Sequence, residues 1–118
     1  VWGTGNDVRD LIYIDDFIDG LLAAFSTDQQ HLEINICSGK GHSVRQILET
    51  LLEVDGYSGA DVRYDPTKPS TIPVRLMDNS AARRLLGFEA KIDLAEGFRR
   101  TMKWYRSQPH PPGATKPA

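Results

Sequence analysis

Cysteine occurs once, at Cys37, so no disulfide can close within the chain, and a reducing, cytoplasmic compartment is expected. No apolar run approaches the ~20 residues a spanning helix needs, so no membrane partner is expected. The 14 Lys and Arg are outnumbered by 16 Asp and Glu and form no cluster, so nucleic acid is not an expected partner either. The opening residues, Val1-Trp2-Gly3-Thr4-Gly5-Asn6-Asp7, have neither the basic nor the apolar region of a signal peptide. They also lack a Met and a structured lead-in, and the chain reads as the middle of a longer protein. What is present is ordinary: 118 residues, 40 % hydrophobic and 25 % charged. That suits one globular domain able to bury roughly 65 % of its unfolded surface, and excludes collagenous and disordered chains.

Along the chain, Leu11-Ile12-Tyr13-Ile14 reads as a buried strand. Asp15 and Asp16 then offer caps to a helix whose Phe17, Ile18, Leu21, Leu22 and Phe25 share a face. Gly20 within it costs about 1 kcal/mol relative to Ala, which predicts a close packing contact there. His31-Leu32-Glu33-Ile34-Asn35-Ile36-Cys37 alternates like a strand and ends at Ser38-Gly39-Lys40-Gly41. Ser43 with Gln46 forms a capping box, followed by Val44, Ile47, Leu48, Leu51 and Leu52 at helical spacing. Residues 61–64 read as a short strand, and Pro66, Pro69 and Pro73 as a loop. Asp78 to Ser80 cap a short helix that Gly87 ends, and Asp93 with Glu96 opens a last one. From Gln108 the chain holds four of its seven prolines, so 108–118 is expected to be a disordered tail. The order predicts an α/β unit, with α+β as the alternative: short parallel strands, a crossover helix and C-terminal helices.

Three chemical motifs fail on inspection. Gly39-Lys40-Gly41 lacks the first glycine of a P-loop. As a dinucleotide fingerprint it meets Val44 where the third glycine belongs, so an ordinary tight turn is predicted. Tyr64 and Lys68 have the spacing of a hydride-transfer dyad, which needs both on one helical face, but Pro66 lies between them. Cys37, His31 and His42 have no second ligand pair at metal spacing, so a buried thiol and two surface histidines are expected. No catalytic, cofactor or metal residue is predicted within the chain.

The stretch Trp2-Gly3-Thr4-Gly5-Asn6-Asp7-Val8-Arg9-Asp10-Leu11-Ile12-Tyr13-Ile14-Asp15-Asp16 stands apart. Gly3 and Gly5 let backbone amides approach a ligand. Arg9, at the head of a strand, can either hold an oxyanion bidentately or form a structural ion pair with Asp10, Asp15 or Asp16. This string resembles the substrate-domain signature of extended short-chain dehydrogenase/reductase enzymes acting on nucleotide sugars. The resemblance runs on through Ile34-Asn35-Ile36-Cys37-Ser38-Gly39, with Cys37 in place of the usual Gly. It continues through Ser43-Val44-Arg45-Gln46-Ile47, Leu76-Met77-Asp78 and Leu85-Leu86-Gly87-Phe88, to about residue 107. Trp2, Gly56-Tyr57-Ser58-Gly59 and Lys68-Pro69 point most to GDP-fucose synthase-like members.

The resemblance implies that residues 1–107 form a nucleotide-sugar-binding domain lacking the Rossmann half. Trp2, Gly3, Arg9, Lys68 and Arg75 would then contact a nucleotide-diphosphate sugar. Lys68-Pro69-Ser70-Thr71 stands where that subgroup has Lys-Pro-Asp-Gly, so a carboxylate is missing and the field widens to other epimerases and dehydratases. The family's NAD(P)-binding loop and helical Tyr-x-x-x-Lys would precede Val1, leaving this portion without a cofactor and inactive alone. Partners implied are a cofactor-binding half or a second copy of the chain, the latter through the uncovered strand 32–37 and the apolar face of 44–52. The alternative is a stand-alone, non-enzymatic binding or interaction module.

Overall fold

The computed structural model describes residues 1–69 and 72–109. In chain order the elements are β1 (Val8–Asp10), α1 (Ile14–Phe25), β2 (Gly41–Ser43), α2 (Val44–Asp55), β3 (Val74–Arg75), α3 (Ser80–Leu86) and α4 (Leu94–Ser107). The three strands form one mixed sheet in the order β2-β1-β3 among the described residues, with β2 antiparallel and β3 parallel to β1. The α/β expectation holds, on strands other than those predicted. None of the helices described is long and apolar enough to cross a membrane.

Helix boundaries follow local chemistry. The Ser43 hydroxyl accepts from the Gln46 amide at 3.1 Å while the Gln46 side chain accepts from the Ser43 amide at 2.8 Å, a complete capping box opening α2. Gly87 ends α3 in the left-handed region at φ 62°, and the Asp93 carboxylate accepts the Glu96 amide to open α4. α4 packs along α2, and the Arg106–Asp55 ion pair ties its last turn to the end of α2. The 44–52 face is thus only partly covered by α4, its Val44, Ile47, Leu48, Leu51 and Leu52 remaining half-buried.

At α1 the prediction is revised. The helix starts at Ile14, not after the aspartates, and Tyr13 caps it without a side-chain bond. Asp16 is buried and its Oδ2 accepts the amides of Lys91 and Ile92, at 3.0 and 2.8 Å, in the link between α3 and α4. Gly20 does lie at a close contact: a Cβ there would stand 2.5 Å from Ile36 Cγ2 and 3.2 Å from the Phe88 ring. The side of α1 carrying Asp16 and Gly20 therefore faces inward, and Ile14, Ile18, Leu22 and Phe25 form an outer apolar stripe, with Phe25 86 % exposed.

Three predicted strands are absent. Residues 11–13 are irregular, and 61–64 form no strand, the Arg63 carbonyl accepting the Val1 amine at 2.8 Å beside the Trp2–Asp65 bridge. Residues 31–36 keep the alternation in their burial, Cys37 breaks it by being buried next to Ile36, and no strand lies beside them among the described residues. Their partners lie instead on 77–79: the Asn35 side chain donates to the Asp78 carbonyl at 3.2 Å, and the Asn79 side chain to the Ser38 carbonyl at 3.2 Å. A ladder needs backbone groups on both sides of the pair, and here each bond has a side chain on one side. Cys37 is fully buried, and burial, then the nearby Asp10 charge, pushes its thiol pKa up. Cys37 should resist a thiol reagent in the native protein and react in denaturant. Equal labelling rates in both conditions would show that this core is open.

Candidate functional site

β1 is the central strand, and its pairing fixes what faces what. Arg9 lies opposite His42 on β2 and opposite Arg75 on β3. Paired residues of neighbouring strands share a face, so these three form a row with about 5 Å between strands. Val8 faces the other way with Ser43 and Val74. Gly41 allows that close approach, since a Cβ there would meet Val8 Cγ1 at 2.7 Å.

The Arg9 guanidinium is held in place. Nη1 donates to the carbonyls of Val8 and Ile72, each at 2.8 Å, and Nη2 donates to Asp7 Oδ2 at 3.2 Å. The carboxylate partner is therefore Asp7, not Asp10, Asp15 or Asp16. Period-2 geometry explains it: Asp7 and Arg9 sit two apart on one face, whereas Asp10 points the other way. There it accepts the Ser38 hydroxyl and amide at 2.5 and 3.1 Å and the Gly39 amide at 2.9 Å. Asp15 lies 3.5 Å from Arg100. Arg75 is exposed, with no carboxylate at ion-pair distance among the described residues.

The other predicted contacts gather elsewhere. Trp2 is 69 % exposed and bridges Asp65 through its backbone. Gly3, at φ 80°, donates its amide to the Asp65 carbonyl at 2.8 Å, so that amide is spent inside the protein. Gly5, at φ 78°, admits the Tyr64 ring, which a Cβ would meet at 2.3 Å. Lys68 is exposed and closes the turn begun at Asp65, its amide donating to the Asp65 carbonyl at 3.2 Å. The Thr67 hydroxyl and amide hold the Asp65 carboxyl below the usual range. The sequence-predicted residues thus fall into two groupings: Arg9 with Arg75 across the sheet, and Trp2, Gly3 and Lys68 around Asp65. Ser70 and Thr71, of the departing Lys-Pro-Ser-Thr stretch, lie outside the described residues, as does most of the predicted tail.

The Gly39 turn is an internal tie: the amides of Ser38 and Gly39 end on Asp10, so these two donors are not turned outward as a dinucleotide-binding loop needs. Tyr64 is not helical and lies under Arg45, whose guanidinium carbon is 4.1 Å from its ring centre. His31 pairs with Glu33 at 3.3 Å on an exposed stretch, whereas His42 stands on β2 opposite Arg9. Asp7 and His42 are the residues that sequence reasoning missed. Both become visible once β1 is placed at 8–10 rather than 11–14.

A small mixed sheet with Arg9 and Arg75 paired on neighbouring strands, flanked by helices, defines a partial α/β domain. No family model matches the chain. A probable GDP-L-fucose synthase 1 from Oryza sativa subsp. japonica is 33 % identical over 105 residues, covering 89 % of this chain and 31 % of that protein. The crystal structure of UDP-glucose 4-epimerase from Thermotoga maritima with UDP-glucose superposes with a TM-score of 0.78 at 32 % identity, covering 90 % of this chain and 34 % of that one. UDP-glucuronic acid 4-epimerase from Bacillus cereus, in complex with UDP-glucuronic acid and NAD, gives a TM-score of 0.78 at 28 % identity and covers 90 % and 34 %. The chain spans about a third of the length of the relatives it matches. It is a partial domain of the extended short-chain dehydrogenase/reductase type, related to nucleotide-sugar epimerases, dehydratases and reductases.

Proposed function

We propose that residues 1–107 bind the nucleotide-diphosphate part of a sugar nucleotide and supply no catalytic group of their own. The observation that carries this reading is the Arg9–Arg75 pair. Like charges directly opposite in a sheet are destabilising, and a diphosphate between them would turn that cost into two charge-assisted contacts. Support also comes from the likeness to an epimerase solved with UDP-glucose. In this reading Trp2 and Lys68 reach the base, ribose or outer phosphate, and Gly3 shapes their loop. Hydride chemistry with NAD(P) belongs to the cofactor half of the relatives.

Calorimetric titration with UDP-glucose and GDP-L-fucose tests the reading. Saturable binding of either supports it, and no heat from both at millimolar ligand overturns it. The same reading expects a second copy or a cofactor-binding half as partner, now through the outer stripe of α1. Light scattering of the purified chain should give a mass above that of a monomer. A monomeric mass at tens of micromolar would remove the homo-oligomer from the reading.

A further inference from the structure

The row on β1 has a third member. His42 stands opposite Arg9 on the strand away from Arg75, so the order across the sheet is Arg75, Arg9, His42. His42 is half-buried, and its ring makes no hydrogen bond among the described residues. The Asp7 carboxylate on the same face bonds the Arg9 guanidinium at 3.2 Å. Imidazole presents at least one N–H in every protonation state. The strand positions it rigidly: Ser43 next to it is locked into the capping box, and Gly41 before it is packed against Val8.

From this we infer that His42 is a further binding residue of the anion site, donating to a diphosphate oxygen on the side of Arg9 remote from Arg75. It sets the extent of the site along the row. Two guanidinium groups one strand spacing apart suit a single phosphate, and a third donor one strand further suits the second phosphate of a nucleoside diphosphate. The site therefore favours a diphosphate over a monophosphate through His42. This rests on the nucleotide-diphosphate reading above and names the residue that distinguishes the two ligands.

The test is calorimetric titration of the full chain with UDP and UMP, for wild type, His42→Gln and His42→Arg. His42→Gln should weaken UDP about 3- to 10-fold, leave UMP within about twofold, and leave the melting temperature unchanged. His42→Arg should restore or tighten UDP binding. If wild type binds UDP and His42→Gln binds it equally well, the His42 assignment is overturned while the Arg9–Arg75 reading stands. Equal weakening of UDP and UMP also overturns it, as does lost affinity with lowered melting that His42→Arg fails to rescue. Failure of wild type to bind UDP at all takes down both readings together.

Discussion

Replacing Asp16 with Ala should lower stability by about 3–5 kcal/mol, because each amide bonded to a charged acceptor contributes about 1.5–3 kcal/mol. The carboxylate is buried and satisfies two consecutive amides, those of Lys91 and Ile92, in the link between α3 and α4. Removing it strands both donors where water does not readily replace it. In a domain of this size, at about 4 °C per kcal/mol, the melting temperature should fall by about 12–20 °C. Asp16→Asn keeps one acceptor oxygen without the charge and should fall between. The side chain also joins α1 to the start of α4, so its loss should loosen α4 on α2 as well. Thermal melts followed by circular dichroism read the effect. A fall of less than about 2 °C in Asp16→Ala would show that solvent takes over both amides, and that the site is open.

Replacing Arg9 with Ala should weaken nucleotide-diphosphate binding about 10- to 150-fold, the loss expected for charge-assisted hydrogen bonds on a stiff element. Arg9→Lys keeps the charge but loses the planar fork, so its affinity should lie between wild type and Arg9→Ala. Arg75, on a two-residue strand and exposed, should contribute less. Part of the Arg9 side chain is committed to the fold: Nη1 bonds two carbonyls and Nη2 bonds Asp7. Some loss of melting temperature should therefore accompany Arg9→Ala. Affinity decides the role. Unchanged UDP-glucose and GDP-L-fucose affinity with lowered melting would make Arg9 a purely structural residue.

Local chemistry was legible in the sequence wherever a feature needed only its neighbours. The Ser43–Gln46 box, the Gly87 stop and the Asp93 cap each involve residues within one helical turn, and each is where the pattern puts it. Gly20 was also legible, as a helix former's weakness that only a close neighbour explains. Strands were misplaced because a strand is a pairing, and pairing is not written in one segment. Residues 31–36 carry a period of two that separates inward from outward side chains, broken at the buried Cys37, yet the segment is held through its own Asn35 and Cys37 side chains rather than by a backbone ladder. β2 and β3 carry almost no apolar signal, and β3 has only two residues, so nothing local announced them. The candidate site suffered most. Arg9 and Arg75 were identified by resemblance, but their partners Asp7 and His42 depend on register. Moving β1 by a few residues exchanges the faces on which every neighbour stands.

The parallel edge of this small sheet has a kinetic consequence. Arg9 Nη1 reaches the carbonyl of Ile72, 63 positions along the chain, and the same edge aligns Arg9 with Arg75. Closing so long a loop costs entropy before any contact repays it, so the helices, built from near neighbours, form ahead of the sheet. The cationic row is consequently assembled late in folding. On the nucleotide-diphosphate reading, a ligand that recognises the row finds little of it in the transition state, so bound nucleotide should slow unfolding in stopped-flow measurements while leaving the folding rate almost unchanged.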